Sequence, residues 1–164
     1  MLIQEKLIAK IRELCVADER LDAALMYGSF ASGEADEHSD VEFWLFFEPG
    51  HRAEIDPRSW CAQIGPLLHH VRNEWGADVV MLPGLVRGDL RFATTEDIAG
   101  LRSWPARGAP VERMIVLDRT GPEVSAGIWS AWGCGKRLWT ELLQRHGREV
   151  PRQLFAELDE ALSP

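Results

Sequence analysis

The stretch Tyr27-Gly28-Ser29-Phe30-Ala31-Ser32-Gly33-Glu34-Ala35-Asp36-Glu37-His38-Ser39-Asp40-Val41-Glu42 joins two apolar runs, Ala23 to Tyr27 before it and Phe43-Trp44-Leu45-Phe46-Phe47 after it. Both runs have the length and composition of buried strands. Side chains on a strand alternate faces, so Asp40 and Glu42 point the same way at the mouth of the second run. Two carboxylates held that close repel each other, and a divalent cation between them relieves the repulsion. A Gly-Ser turn ten residues upstream offers N–H groups and a hydroxyl to phosphate. Metal plus phosphate points to nucleotide chemistry.

The remaining elements follow outward from this pair. Leu2, Ile3, Leu7, Ile8, Ile11 and Leu14 recur at helical spacing and predict an amphipathic opening helix, with Ala17 to Arg20 as its exit. Leu21 to Tyr27 and Val41 to Phe47 are the first two strands, and Glu48-Pro49-Gly50 closes the second. Ser59 to Trp75 reads as a helix capped by Ser59, kinked or split at Pro66 and ended by Gly76. Asp78 to Leu82 and Val86 to Ala93 are two further strands joined by Pro83-Gly84. Thr95 to Leu101 suits a short helix with Thr95 as cap, and Met114 to Leu117 a last strand. After Asp118 the composition changes. Residues 122–137 hold four glycine or proline residues together with Trp129 and Trp132, a weakly patterned linker. A helix around Leu138 to Leu143 stops near Gly147, and Pro151 to Leu162 carries Leu154, Phe155, Leu158 and Leu162 on one stripe.

The totals narrow the functional classes. A chain of 164 residues with 46% apolar residues fits one domain, or one domain with an appendage. The formal charge of −8 argues against a nucleic-acid partner, which needs a basic patch. It favours a small cationic substrate or no charged polymer. No apolar run approaches the length of a membrane span, and the first residues lack a signal-peptide core. Cys15, Cys61 and Cys134 are scattered, without CxxC spacing, and read as reduced thiols of a cytoplasmic protein.

A phosphoryl-transfer site usually draws a third carboxylate from a neighbouring strand. Asp89 is the candidate: in Val86-Arg87-Gly88-Asp89-Leu90-Arg91-Phe92, Asp89 and Arg91 share the face opposite Leu90 and Phe92. Asp89 either joins a metal site or accepts the proton of a substrate hydroxyl, or else it pairs with Arg87 or Arg91. Those arginines either bind phosphate oxygens bidentately or pair with the acids of this chain. Ser29 contacts a phosphate or serves as a turn hydroxyl. His38 reads as solvent-facing. His69 and His70 read as surface residues on a helix, without metal-ligand spacing. Trp44 or Phe43 faces the site or a second layer, and Trp60, Trp75 and Trp104 read as core or interface aromatics.

Gly-Ser, ten residues, then Asp-x-Glu resembles the motif of the DNA polymerase β-like nucleotidyltransferase superfamily. Within it, the chain resembles the longer type of lincosamide nucleotidyltransferase, a group of antibiotic-resistance enzymes. The likeness is carried by Met26-Tyr27-Gly28-Ser29-Phe30, Gly33-Glu34, Ser39-Asp40-Val41-Glu42-Phe43, Asn73-Glu74 and Leu85-Val86-Arg87-Gly88-Asp89, in register from about Met1 to Gly121. It implies an α+β fold: a mixed sheet flanked by helices in residues 1–121, the catalytic domain, and a short helical segment in 122–164. It further implies Mg²⁺ as cofactor and a nucleoside triphosphate, ATP or GTP, as co-substrate. Asp40, Glu42 and Asp89 would be the catalytic, metal-holding acids, with Asp89 in the place of a third acid that is typically Glu and activates the acceptor hydroxyl. Gly28, Ser29 and Arg87 would bind the nucleotide. The implied reaction transfers a nucleoside monophosphate to a hydroxyl of a small antibiotic, most of all a lincosamide, and releases pyrophosphate.

Two features depart from that pattern. Ser32 stands where several relatives carry a basic residue. Gly121 to Pro164 does not resemble the longer helical domain that shapes the acceptor pocket in relatives, so a short or truncated variant is expected, with a second subunit as one way to complete the pocket. Two other readings remain open. One is a minimal nucleotidyltransferase antitoxin that modifies a partner protein; the other is a non-catalytic scaffold that has lost its acceptor domain.

Overall fold

The structure is a computed structural model that describes residues 1–103, 109–121, 124, 136, 140 and 143–162. Strands and helices are labelled in chain order. Among the described residues six strands form one mixed sheet: β1 (Leu21–Tyr27), β2 (Val41–Phe47), β3 (His69–Arg72), β4 (Asp78–Leu82), β5 (Val86–Thr94) and β6 (Ile115–Asp118). Their spatial order is β3-β4-β5-β2-β1-β6. β2 and β5 run parallel, and every other neighbouring pair is antiparallel. The helices are α1 (Ile3–Ala17), α2 (Ser29–Ser32), α3 (Pro49–Glu54), α4 (Pro57–Cys61), α5 (Val111–Met114) and α6 (Arg152–Leu162), with 3-10 segments at Pro83–Leu85 and Thr95–Ser103. The α+β class and the mixed sheet flanked by helices agree with expectation.

The central position of β2 explains its composition. A strand paired on both edges and covered on both faces has nowhere to place polar groups, so VEFWLFF is apolar except where it meets the site. Val41, Phe43, Leu45 and Phe47 lie on one face with Leu90 and Phe92 of β5, all buried. Trp60 of α4 meets Phe92 edge-on at 5.6 Å, and Phe47 stacks on the same ring at 6.1 Å. Leu7, Ile8, Ile11 and Cys15 of α1 belong to the same core cluster. Burial pushes the Cys15 and Cys61 thiols up to about 12, so both remain protonated near neutral pH.

Several elements differ from the sequence reading. The helix expected over 59–75 is a short helix followed by a strand. Asp56, not Ser59, caps α4, its carboxylate accepting from the Ser59 N–H at 3.0 Å. Beyond Pro66 the chain pairs instead of coiling, and His69–Arg72 forms the edge strand against β4. The reason is turn chemistry: the Asn73 side chain accepts from the N–H groups of Trp75 and Ala77, and Gly76 at φ +80° lets the hairpin close. Gly76 thus closes a hairpin and does not end a helix, and Trp75 at its tip is exposed, not core. Of the two histidines read as surface residues, His69 is exposed and His70 is half-buried. Its Nε2 lies 2.8 Å from Oδ1 of the buried Asp78. Thr95 does not cap the 3-10 segment; Asp97 accepts from the Thr94 N–H and hydroxyl. The last strand begins one residue later than expected. Most of the expected linker at 122–137, the helix around Leu138, Trp104 and Cys134 fall outside the described residues.

Asp18 ties three elements together. Its carboxylate accepts from Arg20 Nε at 2.8 Å, Arg20 Nη2 at 2.9 Å and Trp60 Nε1 at 3.1 Å. Burial alone would raise its pKa. The bonds from the Arg20 side chain and backbone and from Trp60, with the nearby positive charge, outweigh that and hold it below the ordinary value. A carboxyl held low in the folded state adds stability above its unfolded value, near 3.9, and loses it as pH falls through the folded one. Asp18→Asn is therefore expected to lose about 1–2 kcal/mol at pH 7 by urea unfolding, a deficit that shrinks below about pH 4. A pH-independent deficit would contradict this role.

Candidate active site

The sheet's other face carries the acids. In the parallel ladder Glu42 lies beside Asp89 and Val41 beside Gly88, while on the other side Tyr27 lies beside Glu42. Alternation then puts Asp40, Glu42 and Trp44 of the second strand on one face with Arg87, Asp89 and Arg91 of the fifth. The three acids singled out in sequence thus share one face of the sheet.

Gly28 explains how Glu42 fits there. It has φ +74° and ψ −158°, a conformation essentially reserved for glycine. A Cβ at this position would overlap the Glu42 carboxylate outright. The missing side chain is the space that Glu42 fills. From Gly28 the chain enters α2, with Ser29 at its first position. Ser29 follows the glycine that meets Glu42, though its carbonyl rather than its hydroxyl makes the described bonds, accepting from Gly33 and Glu34.

Arg87 connects the other two acids. Its Nε donates to Asp89 Oδ1 at 3.1 Å and its Nη2 to Asp89 Oδ2 at 2.9 Å, a bidentate fork. Its Nη1 lies 3.4 Å from Asp40 Oδ2. The alternative weighed for Asp89, pairing with a neighbouring arginine, is thus what the structure shows. Partial burial raises the Asp89 pKa, Arg87 opposes the rise and Asp40 adds to it; the net direction is upward. Arg91 takes a different place, with its guanidinium 4.7 Å over the Trp44 ring, which in turn stacks on Phe46 at 5.1 Å. Trp44 is therefore the aromatic on the acid-bearing face. His38 is exposed, as expected.

Among the described residues no group of three or more His, Cys, Asp or Glu side chains is arranged to hold a metal ion. The donor types nonetheless suit a hard divalent cation, being carboxylate oxygens on one face of adjacent strands. What they lack is convergence: Asp40 and Asp89 are turned to Arg87, and Glu42 lies over Gly28.

Two contributors escaped the sequence reading. Gln4 is 2% exposed within the apolar stripe of α1, and its Nε2 donates to the carbonyls of Glu37 at 2.8 Å and Ser39 at 3.3 Å. It pins the loop that delivers Asp40, and a polar residue in register with Leu7, Ile8 and Ile11 was the signal. Arg113 of α5 lies so close to Gly33 that a Cβ there would stand 2.6 Å from its Nη1. No local pattern announced that contact across 80 residues of sequence.

Compared with protein-family models and with curated proteins, the chain matches none. No helix among the described residues is long and apolar enough to cross a membrane.

Gly28→Ala is expected to destabilise the fold by about 2 kcal/mol or more, because Ala must adopt a strained backbone and expel Glu42. Gly147→Ala, where φ is +62° and a Cβ meets no atom within 4 Å, shares the backbone strain without the overlap and is the control, expected to cost less. Equal unfolding midpoints for both variants would contradict the packing of Glu42 on Gly28.

Proposed function

We propose that the chain is a Mg²⁺-dependent nucleotidyltransferase of the polymerase β-like fold, transferring a nucleoside monophosphate from a triphosphate to a hydroxyl of a small molecule. The observation that carries this reading is the pairing of Glu42 with Asp89 across parallel strands while the Glu42 carboxylate fills the space at Gly28. This joins the two halves of the motif, Gly-Ser and Asp-x-Glu, to the third acid. The resemblance to lincosamide nucleotidyltransferases supplies the acceptor class, a small antibiotic and most of all a lincosamide, and also ATP or GTP as donor.

In this reading Asp40, Glu42 and Asp89 would hold the cation, which when bound neutralises charge on the triphosphate and leaving pyrophosphate. Gly28 and Ser29 bring backbone N–H groups and a hydroxyl toward the phosphates, and Arg87 supplies a guanidinium fork for their oxygens. The acceptor oxygen forms a bond to the α-phosphorus as the bond from that phosphorus to the pyrophosphate oxygen breaks. Asp89 takes the hydroxyl proton. Positioning and charge stabilisation supply most of the rate, since the side chains form no covalent intermediate.

The test is incubation with Mg²⁺, mixed nucleoside triphosphates and a panel of lincosamides and aminoglycosides, read by mass spectrometry. A nucleoside monophosphate added to an acceptor hydroxyl is expected, with loss of activity by at least about 10²-fold in Asp40→Asn and Glu42→Gln while both stay folded. Turnover like wild type in either variant would overturn the assignment.

A further inference from the structure

Arg87 does more on this face than a phosphate ligand would require. Its guanidinium engages both oxygens of Asp89 and approaches Asp40. These are two of the three carboxylates that the proposed cation would need. Without a positive charge between them the Asp40 and Asp89 carboxylates repel each other. Arg87 itself is 45% exposed at its side chain, near the N-terminal end of β5, so it can turn away without unpacking the core.

Resting on the nucleotidyltransferase reading, we infer that Arg87 is an internal counter-ion that competes with the divalent cation for Asp40 and Asp89 and, once displaced, becomes a ligand of the triphosphate. The same side chain then opposes metal binding alone and supports binding of the metal–nucleotide pair. Arg87 is a positioning residue in the first state and a nucleotide ligand in the second. The Nε and Nη2 donors that fork onto Asp89 cannot fork onto a phosphate at the same time. Metal and nucleotide are therefore coupled through it.

The inference requires effects of opposite sign from one substitution, which a merely structural arginine would not produce. Arg87→Ala should bind Mn²⁺ alone about three- to tenfold more tightly than wild type, the range expected when exposed ion pairs cease to compete. Free Mn²⁺ measured by electron paramagnetic resonance during titration of the whole chain reads this directly. At saturating Mn²⁺ the same variant should bind a non-hydrolysable nucleoside triphosphate more weakly, by about tenfold or more. Arg87→Lys, which keeps the charge and loses the fork, should fall between the two in both measurements. Circular dichroism and thermal melting establish that the variants are folded. Unchanged or weaker Mn²⁺ binding by folded Arg87→Ala overturns the counter-ion role and leaves the nucleotidyltransferase reading standing. If neither wild type nor variant binds Mn²⁺, with or without nucleotide, both fall together.

Discussion

The parallel pairing of Val41–Phe47 with Val86–Thr94 sets Glu42 and Asp89 side by side, and every proposed role at the site depends on that register. The pairing is held from below by a fully buried layer, Phe43, Leu45 and Phe47 against Leu90 and Phe92. A slip of one residue would turn that layer toward the acid face and drive the acids into the core. Hydrophobic burial on one face thus fixes the placement of charge on the other. Gly28 adds a second constraint, since the Glu42 carboxylate needs room that no side chain at position 28 can leave.

Charge balance on the acid face is local. The chain carries a formal charge of −8, yet Asp40 and Asp89 share one guanidinium and Arg91 rests on Trp44. Both arginines come from the strand that carries Asp89. The alternation that exposes one acid on this face exposes two cations with it, three positions of a nine-residue strand. The face that carries Asp89 thus also carries part of the positive charge that offsets its acids.

Much of this was legible in the sequence because the decisive signals are short in range. The apolar runs on either side of Gly28–Glu42 fix two strands, and the i, i+2 spacing fixes their shared face. Val86 to Phe92 alternates cleanly enough to place Asp89 on one side of a strand. The edge hairpin was misread because Ser59 to Trp75 has helix-like composition, whereas its structure is decided by the Asn73 side chain and Gly76, two residues that act on the backbone locally. The pairing of His70 with Asp78 went with it, since it exists only once β3 lies beside β4. Arg113 reaches Gly33 across the fold, and periodicity cannot report a contact of that range, whereas Gln4 was marked by its polar place in the apolar stripe of the first helix. The two alternatives left open for Asp89 were both reasonable on sequence grounds, because its pairing with Arg87 depends on a rotamer and not on a pattern.

Placement of a cation and a nucleotide on the Glu42–Asp89 face is the central claim, and its most direct measurement is paramagnetic broadening of backbone amide signals. A chain of 18.5 kDa is well suited to heteronuclear NMR. Mn²⁺ added with a non-hydrolysable nucleoside triphosphate is expected to broaden first the amides of Gly28, Ser29, Val41, Glu42, Gly88 and Asp89. Broadening centred elsewhere on the sheet, or none at millimolar nucleotide, would contradict the account.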